Sequence, residues 1–327
     1  MKALVYHGPN QPVVEDVPVP SIGPDDVLIR SHAVGICHSD FELLEGRYII
    51  GFQYPITPGH EWSGEVVEVG ANVTDFARGD RVVGECVVGP GGRDHFGFSI
   101  SGAAAEFFRA RAEWLHRIPD ELTYRQAALV EPFSVAYNAL RCLGGVDPSD
   151  TVAVLGAGPI GLLSMMAAGA CHARVVSIEP DAARRQRALQ LGAAETLDPT
   201  SPAFAEDVFA ATAGRGFQAV IEAAGAPTSM ATALEVAANF GRVAYVGINV
   251  GSTAPAKLGL IQSKSLRLQG MVGSVGVWPQ TIRFLARGGV DPSRIVTASL
   301  PLASATAALA AARDTTTNIK VHIETCA

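Results

Sequence analysis

Two hydrophobic rhythms divide this 327-residue chain. From Met1 to about Leu115, apolar residues come in short runs broken by Gly, Pro and Asp: Lys2 to Tyr6, Val27 to Ala33, Gly64 to Val69, Arg81 to Cys86 and Ala104 to Phe108. Many short strands without helical periodicity predict a β-rich, barrel-like domain. Pro119 and Asp120 then open a helical region, in which Tyr124 to Leu143 spaces its apolar residues by three and four before Gly144-Gly145 ends it. From Thr151 to about Gly273 strands alternate with helices, the strands being Thr151 to Leu155, Arg174 to Glu179, Phe217 to Glu222, Arg242 to Val246 and Ser265 to Gln269. That alternation predicts a parallel, doubly wound α/β sheet. A last helix pattern (Pro279 to Arg287), a turn at Gly288-Gly289 and a closing strand (Ile319 to Ile323) are too short for a third domain and are expected to pack back onto the β-rich one. Two domains result: 1–134 completed by 275–327, and 135–274.

Within the second rhythm, Thr151-Val-Ala-Val-Leu155 leads straight into Gly156-Ala157-Gly158-Pro159-Ile160-Gly161 and a helix-forming segment. Strand, G-x-G-x-x-G and helix in that order form a dinucleotide fingerprint. Gly156 permits the tight turn, Gly158 lets the backbone approach a pyrophosphate, and Gly161 lets helix and strand pack closely. The helix N-terminus, with Pro159 and Ile160 in its first turn, offers the positive dipole end. Glu179 closes the next strand about twenty residues on, where a carboxylate accepts hydrogen bonds from an adenosine ribose and repels a 2′-phosphate. Arg184 and Arg185 follow within a turn and are the type of residue that accommodates that phosphate, or that stacks on adenine. Pro180-Asp181 adds negative charge instead, so NAD is expected ahead of NADP.

Composition removes whole classes of partner. A formal net charge of -7 and no run of Lys and Arg exclude a nucleic-acid or anionic-membrane surface. The N-terminal segment Met1 to Gly8 has no long apolar core, which leads us to expect a cytoplasmic protein. Five scattered cysteines do not form a disulfide framework.

The β-rich part carries the metal-capable residues, in Gly35-Ile-Cys37-His38-Ser39-Asp40 and in Gly59-His60-Glu61-Trp62-Ser63-Gly64-Glu65. A cysteine and a histidine from different loops, completed by a carboxylate, would give zinc three protein ligands and one open position. Spacing alone does not establish this, since Cys37 is equally readable as a small buried hydrophobe.

The pairing of G-I-C-H-S-D with G-H-E-x-x-G-E-V-V-E-V-G, followed by the Rossmann unit and a short returning tail, resembles the zinc-dependent medium-chain dehydrogenase/reductase family over essentially the whole chain. Val130-Glu131-Pro132-Phe133-Ser134-Val135 is similar to its sorbitol and threonine dehydrogenase branch. The resemblance implies a GroES-like catalytic domain, one catalytic zinc on Cys37 and His60, and a homodimer or homotetramer. It offers Glu61 or Glu131 as third ligand, with the Glu131-Pro132 match tipping slightly toward Glu131. Ser39 matches the serine that bonds the substrate hydroxyl, and Asp40 the carboxylate that orients the ligand histidine. Glu42 stands where several alcohol dehydrogenases carry a proton-relaying histidine. Between Arg81 and Ala105, where many members hold four structural-zinc cysteines, this chain has only Cys86, so a shortened lobe without metal is expected and His95 reads as a polar loop residue.

The activity implied is oxidation of a secondary alcohol by NAD, with zinc as Lewis acid and the reaction enclosed between two domains. The branch points to a hydrophilic substrate: a sugar alcohol, a cyclitol or aminocyclitol, or a hydroxyamino acid. Competing readings are a zinc-free quinone-reductase-like enzyme, a non-redox lyase or isomerase using zinc, and a non-catalytic dinucleotide-binding protein.

Overall fold

A computed structural model describes residues 1–248 and 251–326. The chain forms two compact units, one of Met1–Glu131, Trp278–Ala286 and the segment from Ser293, the other of Pro132–Val277 and Arg287–Pro292.

The first unit is built on a seven-stranded sheet. Its axis is the strand Asp26–Gly35, which pairs antiparallel with Glu61–Val69, Phe107–Arg111 and the near-terminal strand Lys320–Glu324. Arg81–Gly84 and Leu115–Arg117 extend one side, and Val296–Pro301 joins Lys320–Glu324 in parallel at the other. Burial alternates along Asp26–Gly35 only over Arg30–His32, the rest being almost wholly buried. Leu4, Ile29, Trp62, Phe96, Phe108 and Val321 belong to one core.

In the second unit six parallel strands stand in the order Glu195–Leu197, Arg174–Ile178, Thr151–Leu155, Phe217–Glu222, Ala237–Tyr245, Arg267–Gly270. The three strands Thr151–Leu155, Arg174–Ile178 and Phe217–Glu222 are rich in Val, Ile and Ala because each lies between two others and is covered on both faces. The helix Pro159–Ala170 is buried from Gly161 to Ala168, so it is apolar on all sides rather than amphipathic. Strand order reverses between Thr151–Leu155 and Phe217–Glu222, which makes the carboxyl ends of those two strands the ligand crevice of this sheet. The expected α/β architecture with a β-rich companion domain is therefore what the chain adopts.

The helix expected over Tyr124 to Leu143 is two helices, Tyr124–Ala127 and Val130–Cys142. Pro132 explains the break: lacking an N–H, it is tolerated in a first helical turn but not mid-helix. The strand expected at Ala104 to Phe108 runs instead from Phe107 to Arg111. Residues 104 and 105 instead bond to Pro58 and the Ala103 carbonyl.

Candidate metal centre and dinucleotide site

Cys37 lies two residues beyond the central strand and caps the helix His38–Leu44, and its backbone N–H donates to Asp40 Oδ2 at 2.8 Å. Asp40, 3% exposed, sends its other oxygen to within 3.5 Å of His60 Nδ1. One carboxylate thus lies against both ligand candidates, bonded to the backbone of Cys37 and facing the Nδ1 edge of His60, so that Nε2 is the ring nitrogen open to a metal. Burial works against a charged His60 ring, but the Asp40 carboxylate and the Cys37 thiol outweigh it and raise its pKa well above the ordinary histidine value.

His60 and Glu61 arrive on the turn that feeds the strand Glu61–Val69. Gly59 has φ 102°. A Cβ there would stand 2.8 Å from Val34 Cγ1 and 2.9 Å from the Ala104 nitrogen. Only glycine fits. The segment Gly102–Ala104 lies backbone to backbone against this turn, with Gly102 N–H donating to the Thr57 carbonyl at 2.7 Å and Ala103 N–H to the Gly59 carbonyl at 2.9 Å. A Cβ on Gly102 would meet the Gly59 and Pro58 carbonyl oxygens at 2.5 and 2.6 Å.

The donor atoms of Cys37, His60 and Glu61 lie within 4.8 Å of one another, and among the described residues they are the group of His, Cys, Asp or Glu able to hold an ion. Thiolate, imidazole and carboxylate are zinc's own ligand types, and a single ion about 2.0–2.3 Å from each can bridge such a group. The residues fit zinc.

Sequence reasoning missed Lys320. Its ammonium donates to both Glu61 oxygens at 2.8 Å and to the Ile36 carbonyl at 3.1 Å, with Glu61 1% and Lys320 4% exposed. The available signal was a lysine inside an otherwise apolar closing strand. Glu131, partly buried at the start of Val130–Cys142, is outside the three-ligand group. Burial pushes its carboxyl up to about 7, with His60 and Lys320 opposing the rise and Glu61 and Asp40 adding to it. Ser39 and Glu42 sit on the helix His38–Leu44, both partly buried.

The shortened lobe is a small hairpin, Val87–Val88 with Asp94–His95, around the turn Pro90–Gly92. Aromatic packing anchors the residues that follow it. Phe96 and Phe98 are 1% and 2% exposed, Phe98 lying 4.5 Å from the His60 ring and Phe96 5.8 Å from Trp62. Burial pushes the Cys86 thiol up to about 12.

In the other unit, Gly156 adopts φ 95° and packs against Ala224 across the crevice. Gly158 is the N-cap of Pro159–Ala170, and a Cβ on it would meet nothing within 4 Å, which leaves its backbone open to an approaching group. A Cβ on Gly161 would overlap the Gly156 carbonyl, so that contact admits no side chain. Glu179, 5% exposed, accepts from Ala157 N–H at 2.7 Å and from Asp181 N–H at 3.0 Å, one bond to each oxygen. A carboxylate has about four acceptor sites, so about two remain, one for each hydroxyl of a ribose. An open glycine turn, a helix N-terminus and this carboxylate fit a dinucleotide. Arg184 N–H donates to the capping Asp181 side chain at 2.8 Å.

No helix is long and apolar enough to cross a membrane among the described residues. Residues 23–120 match the family described as alcohol dehydrogenase GroES-like domain, and residues 159–287 the family described as zinc-binding dehydrogenase. Sorbitol dehydrogenase of Bacillus subtilis (strain 168) is 33% identical over 319 residues, 91% of this chain and 89% of that protein. The crystal structure of 2R,3R-butanediol dehydrogenase from Bacillus subtilis superimposes with TM-score 0.91 at 29% identity, covering 99% of each chain. A protein provisionally assigned as a zinc-binding dehydrogenase, from Sinorhizobium meliloti 1021 and bound to NADP, does so at 0.89 and 27%, covering 99% of this chain and 99% of that one. With the Cys37, His60 and Glu61 cluster in one unit and the glycine fingerprint in the other, the chain belongs to the zinc-dependent medium-chain dehydrogenase/reductase family, in its sorbitol dehydrogenase-like branch of alcohol and polyol dehydrogenases.

Proposed function

We propose that this protein oxidises a secondary hydroxyl of a small hydrophilic alcohol, of the sugar alcohol, cyclitol or aminocyclitol, or hydroxyamino acid class, with NAD as hydride acceptor. The observation that carries the reading is the cluster Cys37, His60 and Glu61 within 4.8 Å, in a chain that also holds the G-x-G-x-x-G turn and Glu179. Bound in these sites, zinc lowers the proton affinity of an alcohol oxygen and NAD accepts hydride from its carbon.

Cys37, His60 and Glu61 are the proposed ligands. Glu61 is preferred to Glu131 because its oxygen falls within the three-donor group and Glu131's does not. Lys320 holds Glu61 in place, and Asp40, 3.5 Å from His60 Nδ1, is assigned the orienting of the His60 ring. Glu131, within electrostatic reach of His60 and Glu61, is assigned to the open side, where it accepts a hydrogen bond from the hydroxyl or from water. Ser39 is assigned a hydrogen bond to the substrate hydroxyl, and Glu42 the onward proton route. In the dinucleotide site Gly156, Gly158 and Gly161 shape the turn, Pro159 and Ile160 begin the helix whose N-terminus takes the pyrophosphate, and Glu179 takes the ribose, with Arg184 beside it. Both nicotinamide cofactors are compatible with the fold, so the choice falls to Glu179, which would stand against a 2′-phosphate.

Assembly is assigned to the edge strand Arg267–Gly270. All four of its residues are exposed, its outer side pairs with no strand among the described residues, and Val272 and Val275 beside it are 80% and 68% exposed. An open edge with apolar neighbours suits pairing with a second copy.

Zinc analysis of the purified protein followed by an NAD-reduction scan over polyols, cyclitols and hydroxyamino acids tests the reading. Stoichiometric zinc with turnover on one of these classes is expected. Zinc-free protein with full activity, or no hydroxyl compound oxidised by zinc-loaded protein, would overturn it.

A further inference from the structure

An arginine within a few residues of the strand-ending carboxylate is the group that accommodates a 2′-phosphate in NADP sites. Arg185 occupies such a position, in the first turns of Ala182–Gln190, yet its guanidinium is spent elsewhere. Nη1 donates to the carbonyls of Glu179 and Pro180, at 2.7 Å each, and lies 3.1 Å from Asp198 Oδ2. Asp198 follows the neighbouring strand Glu195–Leu197, and its Oδ1 accepts from the N–H and hydroxyl of Thr200 at 2.9 and 2.6 Å. Those Thr200 bonds fix the carboxylate, so the group that holds Arg185 is itself held. Both partners are largely shielded, the side chains being 20% and 30% exposed.

The same arrangement immobilises Glu179 from two directions. Its backbone carbonyl is bonded by Arg185, while its side chain accepts from Ala157 and Asp181. The strand end therefore presents a carboxylate while the Arg185 guanidinium is engaged elsewhere. Resting on the reading that this unit takes a nicotinamide dinucleotide, we propose that Asp198 and Arg185 form a latch that sets cofactor selectivity: Asp198 keeps Arg185 turned away from the ribose edge, and Arg185 acts as a positioning residue that holds Glu179 forward. The ion pair supplies the only charge in the latch. Without it, two neutral carbonyl bonds compete poorly with a dianionic phosphate for the guanidinium.

Equilibrium titration of the purified full-length protein with NADH and with NADPH, followed by cofactor fluorescence and without any alcohol, tests the latch in wild type, Asp198→Asn, Arg185→Met and the double variant. Asparagine keeps an acceptor for Thr200 and removes the charge. Asp198→Asn is expected to lower the NADPH Kd relative to that for NADH by about threefold or more, and the double variant to lose that gain. Arg185→Met alone is expected to leave NADPH binding within about threefold of wild type, because the guanidinium does not face the phosphate in the latched state. A smaller change in Asp198→Asn, a gain that survives in the double variant, or a larger loss of NADPH binding in Arg185→Met would each overturn the latch. If Asp198→Asn does not fold, Asp198→Ser, which also removes the charge and keeps an acceptor, takes its place in the same titration with the same expected gain and the same refuting result. Wild-type protein that binds neither dinucleotide would overturn the underlying reading together with the latch, whereas wild type that binds NADH normally with an unresponsive ratio overturns the latch only.

Discussion

Replacing Lys320 by Met removes the cation that, among the described residues, pairs with Glu61, and the size of the effect follows from the geometry. The ammonium has three protons and three acceptors, the two Glu61 oxygens at 2.8 Å and the Ile36 carbonyl at 3.1 Å, so its hydrogen-bonding capacity is filled. Unit charges 2.8 Å apart attract by about 6 kcal/mol at an effective dielectric constant of about 20. Desolvation of both groups offsets much of this, but deleting only one partner strands the other, and the loss is then about 3–5 kcal/mol. Zinc changes the sum, because a dication beside Glu61 compensates the carboxylate that Lys320 has abandoned. Lys320→Met is therefore expected to lose about 3–5 kcal/mol without metal and distinctly less with zinc. Urea denaturation followed by tryptophan fluorescence reads this cleanly, since Trp62, Trp114 and Trp278 all belong to the first unit. Pairing the change with Glu61→Gln should recover much of the metal-free loss. A metal-free loss below about 1 kcal/mol, or equal losses with and without zinc, would refute the assignment of Lys320 as the counter-ion that zinc relieves.

Other outcomes are equally specific. Cys37→Ser should remove most zinc and nearly all turnover while NADH titration stays close to wild type, and elemental analysis of the wild type should give one zinc per chain. Glu179→Ala should narrow the preference for NAD mainly by improving kcat/KM with NADP; a wild type that already prefers NADP would contradict the role given to Glu179. His322 is 1% exposed with neither ring nitrogen hydrogen-bonded, and burial, reinforced by the Lys320 and Arg125 cations, pushes its pKa down to about 3. The unfolded chain takes up a proton near pH 6.5 that the folded chain refuses, so stability is full above that value and falls by about 1.4 kcal/mol per pH unit down to about pH 3. His322→Phe should flatten that slope in denaturation midpoints measured from pH 7 to pH 4.5, and an unchanged slope would show that His322 is not its source.

Much of the architecture was legible because it is written in local pattern. Runs such as Thr151–Leu155 are apolar on both faces, and only a sheet covered on both sides wants that. Glycines at 156, 158 and 161 mark a turn in which the φ of Gly156 and the contact of Gly161 with the Gly156 carbonyl exclude other residues. In the metal centre, Cys37, His60, Glu61 and Asp40 could be named from two short motifs, but choosing between Glu61 and Glu131 needed distances that no spacing in sequence encodes. Lys320 escaped for a related reason: its partner is 259 residues away, and a buried lysine carries no pattern of its own. The helix Ala305–Arg313 escaped because seven of its nine residues are alanine or leucine save for threonine and a final arginine, which leaves no polar stripe to reveal the period.

The backbone contact beneath His60 has a consequence for how this protein can change. Gly59 and Gly102 touch where neither can carry a side chain, and the histidine that would hold the metal hangs directly from that joint. The hairpin between Val87 and His95 is free to lengthen, shorten or take on new ligands, since its own tip is exposed at Pro90 and Gly91. The joint is not. One added methyl group at either glycine is converted into displacement of the His60 turn, so the metal-ligand cluster is sensitive to the smallest possible enlargement at residues that are not themselves ligands. Gly97, with φ 83° and a Cβ position 3.0 Å from the Gly59 carbonyl carbon and the His60 nitrogen, belongs to the same joint, so a longer, metal-bearing lobe grafted onto this chain is confined to the hairpin before it.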